Sequence, residues 1–272
     1  MQLETLEIVQ SLDILFYIVI FFTGLSLGSF LNSWIWRARD NTRVISGRSI
    51  CIHCRRQLLW YENIPLLSYV FLGGRCRTCH EKIPLFYFFI ELSTAIALLL
   101  ISSYHINSLA PASLYSEWHI LRDVFFLSIL VIIFVYDYLY GEVIIGLTFF
   151  SLVVGFLINY FPLHHSLSSL LIGLLVGTGF FLLQYLLSRG RWIGGGDIWL
   201  GAMIGVWLGW PQILAALLLA YLLGAATAIF LIIIKKKRMG SVLPLGVFLA
   251  VATFITLRYG EGMIQWYLNL LK

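Results

Sequence analysis

Residues 121–138 read LRDVFFLSILVIIFVYDY, and this stretch decides the class of the fold. Its apolar run, Phe125 to Tyr136, is bilayer-like in composition and closes on an acid, Asp137. A membrane helix needs about 20 mostly apolar residues. Outward from this segment the same pattern recurs over 14–36, 84–103, 142–161, 167–187, 197–210, 212–234 and 242–259. The sequence therefore predicts eight spans, the sixth of them short and joined to the seventh at Trp210–Pro211. Composition agrees. Of 272 residues, 60% are apolar and only 11% charged, and the mean hydropathy is +0.92. Soluble domains carry about 25% charged residues, so water is not the main solvent for this surface. The expected fold is an all-α polytopic membrane protein with about eight transmembrane helices and one small polar module. A cleavable signal peptide is not expected: Glu4, Glu7 and Asp13 stand where a basic region would precede the apolar stretch.

The net charge of +5 is not laid out for nucleic acid, because aromatic and basic residues are not interleaved on any soluble surface. Nine of the 18 Lys and Arg lie between Arg37 and Lys82, and four more form the run Lys235 to Arg238. Cytoplasmic loops collect positive charge beside apolar spans. With the N-terminus outside, segments 37–83, 139–141, 188–196 and 235–241 face the cytoplasm and hold 15 of the 18 basic residues. Residues 104–120 form a smaller outer loop. Three regions follow: a first transmembrane segment at 1–36, a cytoplasmic tetracysteine module at 37–83, and a membrane core at 84–272. The partner implied by this layout is membrane lipid, and nucleic acid is not expected.

The module holds all four cysteines, as Cys51-x2-Cys54 and Cys76-x2-Cys79 with 21 residues between the pairs. Each CxxC turn aims two sulfurs at one point, and two turns complete a tetrahedron with Zn–S bonds of about 2.3 Å. Disulfides are the competing reading, and a reducing cytoplasm disfavours them. His53 and His80 flank the pairs but are not needed, since four thiolates fill the site. The expected role is structural. A loop with few large apolar groups cannot build a core alone, and metal binding supplies folding energy. A catalytic zinc would need an open coordination position.

Acids near the spans are few: Asp13, Glu91, Asp123, Asp137, Glu142 and Asp197. Asp13 and Asp123 sit at outer ends and can reach water. Glu142 is expected to cap the fourth span, where an acid suits the helix dipole. Asp137 and Asp197 close and open apolar stretches at cytoplasmic ends, where ionisable groups are costly and usually functional. An interfacial acid facing water, or a helix cap, is the plain reading of either alone. Together they have another chemistry. Like charges a few ångströms apart cannot both ionise, so the pair holds one proton; one carboxylate activates water and the other donates to a carbonyl. A transporter's proton relay would also use such a pair, but no internal repeat is apparent. Asp197 follows Gly194-Gly195-Gly196, a run too weak in helix propensity to be expected inside a helix. Gly201, Gly205 and Gly209 then recur every four residues on one face. This face permits close packing, and it carries Asp197, so it is expected to meet the Asp137 helix.

These motifs resemble those of the bacterial prepilin peptidases. Gly194 to Asp197 is similar to their GxGD motif. More specific is Gly28-Ser29-Phe30-Leu31-Asn32 with Arg37, then Cys51 and Cys54, Trp60, and Asn63 to Tyr69. Gly74-Arg75-Cys76-Arg77-x-Cys79, Ile83, Tyr87 and Glu91 follow in the same order, and Leu200 to Trp210 resembles the stretch after the second aspartate. The likeness runs from about Gly24 to Trp210. It implies an inner-membrane aspartyl endopeptidase that removes the leader from type IV prepilins or type II secretion pseudopilins on the cytoplasmic side. Asp137 and Asp197 then match the catalytic aspartates, Gly194 and Gly196 support the motif, and Cys51, Cys54, Cys76 and Cys79 match the zinc ligands. Many members also N-methylate the new N-terminus with S-adenosylmethionine. No glycine-rich dinucleotide fingerprint is present to bind such a donor; Glu91 and Gly74 are weak candidates. Two positions depart from the family pattern: Gly141 to Ile145 lacks a proline, and Trp199 stands where lysine is common.

Overall fold

The computed structural model describes residues 2–40, 44, 47–107, 117–236 and 243–271. Side chains are described from Ile14 onward, those of 104–107 and 117 excepted. Arg43, Lys237, Arg238 and most of the loop expected at 104–120 lie outside the described residues. Among those residues the chain is helical and forms no strand. Two compact units divide it, Met1–Leu109 and Ala110–Lys272.

In the first unit, α1 (Gln2–Arg39) packs along α3 (Leu85–Asn107). Small residues make this possible. A Cβ at Gly24 would come within 2.6 Å of the Ala95 backbone, and one at Gly28 within 2.8 Å of the Glu91 backbone. Between these helices the chain makes a 3-10 turn at Trp60–Asn63 and the short α2 (Leu67–Phe71). Glu62 organises this segment. Its buried carboxylate accepts from both directions, from Arg56 at 2.8 and 3.0 Å and from the Leu59 amide at 2.8 Å. The Arg56 guanidinium holds the Glu62 carboxyl below the ordinary carboxylate range.

The second unit contains α4 (Glu117–Tyr140), α5 (Ile145–Tyr160), α6 (Leu167–Ser188), α7 (Gly195–Leu208), α8 (Gln212–Ile233) and α9 (Leu245–Leu270). Each of the eight expected spans is thus a helix. Six are long and apolar enough to cross a membrane, which makes this a multi-pass membrane protein. The other two, α5 and α7, have 16 and 14 residues. At about 1.5 Å per residue they fall short of a core about 30 Å thick. The last helix runs well past the expected end at 259, to Leu270.

The short α7 is the centre of the unit, buried without a break from Leu200 to Leu208. It lies antiparallel to α6 with backbone against backbone. A Cβ on Gly173 would collide with the Gly205 carbonyl oxygen, and one on Gly177 with that of Gly201. Ser169 accepts the Trp210 amide and closes the far end of the pair. On another side Trp207 stacks on Phe126 at 3.8 Å and fills the space left by Gly155. The glycine face was expected to meet the Asp137 helix. It meets α6 instead, because α6 offers the matching glycines and α4 presents bulky side chains to α7.

Two predictions follow from these contacts. Gly205→Ala should lower the stability of the purified protein by about 2 kcal/mol, from overpacking, whereas Gly179→Ala, with open space around it, should leave Tm unchanged or raise it. Glu62→Gln should speed amide exchange over 56–63 at neutral pH. Because the folded carboxyl titrates below its unfolded value, the stabilisation it gives is present above about pH 4.5 and is lost as pH falls further. The difference between variant and parent should therefore vanish in acid.

Candidate functional site

The four cysteines converge. Their Sγ atoms all lie within 4.8 Å of one another, with Cys51 and Cys76 buried, Cys79 half-buried and Cys54 exposed. All four are free thiols. Two matching turns bring them together. In the first, the Arg55 amide donates to the Cys51 carbonyl and the Cys51 amide to that of Arg56, beneath an Ile50–Gln57 bridge. In the second, the His80 amide donates to Cys76 and the Cys76 amide to Glu81, beneath an Arg75–Lys82 bridge. Arg55 and His80, each four residues after the first cysteine of its pair, take the left-handed conformation with φ of 59° and 57°. The Cys51–Cys79 sulfur separation is 3.8 Å. A tetrahedron with bonds of about 2.3 Å has edges of about 3.8 Å, while a disulfide needs about 2.05 Å. The amides of Cys79 and Thr78 push the Cys76 thiol down toward the thiolate, while burial and the neighbouring thiols push the Cys79 thiol up, as expected of sulfurs crowded together without a cation. The cluster can hold a metal ion. His53 and His80 are not among its ligands.

The two aspartates lie on α4 and α7 of the second unit, within range of each other's charge. Asp137 lies near the end of α4 and is buried. Its Oδ2 accepts the Val247 amide at 3.1 Å, and the Gly246 amide also reaches the carboxylate. These are amides of the first turn of α9, whose N-cap, Pro244, offers no capping side chain. Asp137 therefore caps a helix other than its own. Asp197 is the third residue of α7, and its Oδ2 accepts the Gly194 amide at 2.9 Å. Both carboxylates thus sit at the positive ends of helix dipoles, close enough for their charges to interact. Capping accounts for each acid separately. It does not account for the two being brought together.

Three sequence expectations are corrected here. Gly195 and Gly196 are helical, opening α7, because the Asp197 carboxylate satisfies the free amide before them and tertiary packing outweighs propensity. Gly196 is needed for space, since a Cβ there would stand 2.7 Å from that of Val143. Glu142 does not cap α5: that helix begins at Ile145, with Ile144 as its N-cap. And α7 does not present its glycine face to α4.

Gly246 was missed by sequence reasoning. A Cβ there would lie 2.8 Å from Asp137 Oδ2, so only glycine lets α9 approach the acid. The available signal was Pro244 followed by Gly246 within the apolar stretch, a combination that marks a helix start rather than its interior. Of the weaker candidates, Glu91 is tied to the first unit through the Leu66 amide at 2.8 Å. Gly74 takes φ +67°, and a side chain there would strike Tyr69.

Comparison with known proteins brings both centres under one family. Residues 22–105, with all four cysteines, match the bacterial peptidase A24 N-terminal domain, and residues 124–229, with both aspartates, match the type IV leader peptidase family. A protein of Aeromonas salmonicida (strain A449) named prepilin leader peptidase/N-methyltransferase is 30% identical, over 97% of this chain and 98% of its own length. Proteins of the same name from Pseudomonas aeruginosa and Klebsiella pneumoniae are 28% and 32% identical, covering 97% and 74% of this chain and 97% and 89% of their own. No solved structure matches the chain. On the strength of the full-length likeness, this chain belongs to the type IV leader peptidase family.

Proposed function

We propose that this chain cleaves the leader peptide from type IV prepilins or pseudopilins at the cytoplasmic face of the bacterial inner membrane, with Asp137 and Asp197 as the catalytic pair. The observation that carries the reading is the convergence of two acids, sixty positions apart, at one end of one helical unit, each oriented by helix amides. Two carboxylates serving one site hold a single proton between them. The ionised carboxylate takes a proton from water, whose oxygen attacks the scissile carbonyl carbon. The protonated one donates to the carbonyl oxygen, and the departing amine receives a proton in turn. Gly194 fixes the orientation of Asp197 through its amide, and Gly196 leaves the space that lets Val143 close on the site. The acids lie at helix ends, so water needs no deep channel to reach them. The excess of basic residues in the segments that flank this end supports a cytoplasmic orientation.

We assign zinc to Cys51, Cys54, Cys76 and Cys79, with a structural role, because four thiolates leave no open coordination position. The second activity in the relatives' name, N-methylation, we extend to this chain, with S-adenosylmethionine supplying the methyl group when bound.

Asp137→Asn and Asp197→Asn should each cut prepilin cleavage by about a thousandfold, the scale of lost acid–base catalysis. An amide oxygen can still accept from the capped helix, so both variants should fold and keep a near-parental Tm. Cleavage at the parental rate by either would refute the pair. Cys76→Ser should lower bound zinc from one equivalent per chain and unfold the module, read by metal analysis and by proteolysis within 47–83. Retention of a full equivalent would rule out the four-thiolate assignment.

A further inference from the structure

In the first unit the short α2 carries its apolar side chains on the outside. Phe71 is 83% exposed, Val70 64% and Leu67 48%, and none of the five residues of the helix is buried. Trp60, on the 3-10 turn that packs against α2, is 80% exposed. Residues 63–74 contain no charged side chain. A face of this kind marks an interaction surface, and its depth shows what covers it. Leu85–Ser103 of α3 is an apolar span of 19 residues. At about 1.5 Å per residue it has no length to spare in crossing a hydrocarbon core about 30 Å thick. Leu85 therefore stands at the core boundary, and α2 lies alongside the turns that follow it. The Leu66 amide donates to the Glu91 carboxylate at 2.8 Å. By helical rise, Glu91 is roughly 9 Å inside that boundary. The Tyr69 ring packs on that of Phe88 at 5.6 Å, and its hydroxyl donates to the Ile83 carbonyl at 3.3 Å. Leu85 and Phe89 of α3 are themselves exposed, as lipid-facing residues of a span are. The outer face of α2 continues that surface. Just before α3, Lys82 is bridged to Arg75, and both are exposed at the level of lipid phosphates.

We propose that α2 dips into the bilayer, with Leu67, Val70 and Phe71 among the acyl chains of the leaflet at the Leu85 end of α3 and Trp60 at its headgroups. Under the orientation proposed above, this is the cytoplasmic leaflet. Interfacial elements bury an apolar face about 5–10 Å deep and keep cations at the surface, the order that α2, Arg75 and Lys82 follow. Tryptophan favours the same boundary. Non-helical backbone at such a depth needs partners from the protein, because water is scarce there. Glu91 meets that need for the Leu66 amide, which also accounts for an acid inside a span. The two cysteine turns, at 51–54 and 76–79, flank the dipping segment in sequence and are held at the membrane surface by it. The module is then a membrane-seated element and not a free polar loop.

The test uses the full chain in lipid nanodiscs, with trifluoromethylphenylalanine in place of Phe71, a side chain too exposed for the change to disturb packing. Its fluorine resonance should be lost to broadening by lipid that carries a nitroxide on the acyl chain, and should stay sharp with a gadolinium chelate in the water. Broadening by the chelate alone means a wet face, and comparable broadening by both means a position above the acyl chains; either overturns the insertion. Protection from both means that protein covers the face, which overturns it equally. As a second measurement, Val70→Asp should lower Tm in nanodiscs by about 3 °C or more, since a charge is costly at this depth. An unchanged Tm, the usual result of a surface substitution in water, counts against the proposal in the same way.

Discussion

The second unit depends on how closely two helix backbones can approach. In a bilayer, apolar side chains gain little from leaving lipid for each other, so helix pairing relies on contact area and close approach. Gly173 and Gly177 on α6, facing Gly205 and Gly201 on α7, bring the two backbones into direct contact. That seam fixes the depth and rotation of α7, a helix too short to locate itself by spanning. Asp197, one turn before Gly201, inherits its position from this contact. The Phe126–Trp207 stack then fixes α7 relative to α4, the helix that carries Asp137.

A second theme joins the two units. The carboxylates of Glu62, Glu91, Asp137 and Asp197 each accept a backbone amide that no helix or strand ladder satisfies: Leu59, Leu66, Val247 and Gly194. A chain with few charges and little water spends its acids as backbone clamps. This explains why acids near apolar segments need not signal chemistry, and why geometry rather than burial separates the aspartate pair from the rest.

Much of this was legible in the sequence. Hydropathy located the eight long apolar helices, though not the short α2, because lipid leaves a composition signal that does not depend on tertiary contacts. The paired CxxC turns announced their convergence, since each turn is local and only the meeting of two is not. Both aspartates stood out by contrast with their surroundings. What failed was choice of partner. Four-residue spacing reveals that a glycine face exists, but α6 and α4 are equally plausible as its neighbour until the matching glycines at 173 and 177 are weighed. The cap of α9 was hidden for a similar reason: the capping residue lies 110 positions from the amide it serves. Helical Gly195 and Gly196 reversed a propensity argument that holds for isolated helices and not for one pinned at both ends.

The tie between Asp137 and the first turn of α9 has a mechanical side. A carboxylate that gains a proton becomes a poorer acceptor, so under the proposed chemistry its grip on the Val247 amide slackens whenever the proton sits on that oxygen. The final helix would then feel each catalytic cycle at its leading edge, tightening and easing as bonds are cut.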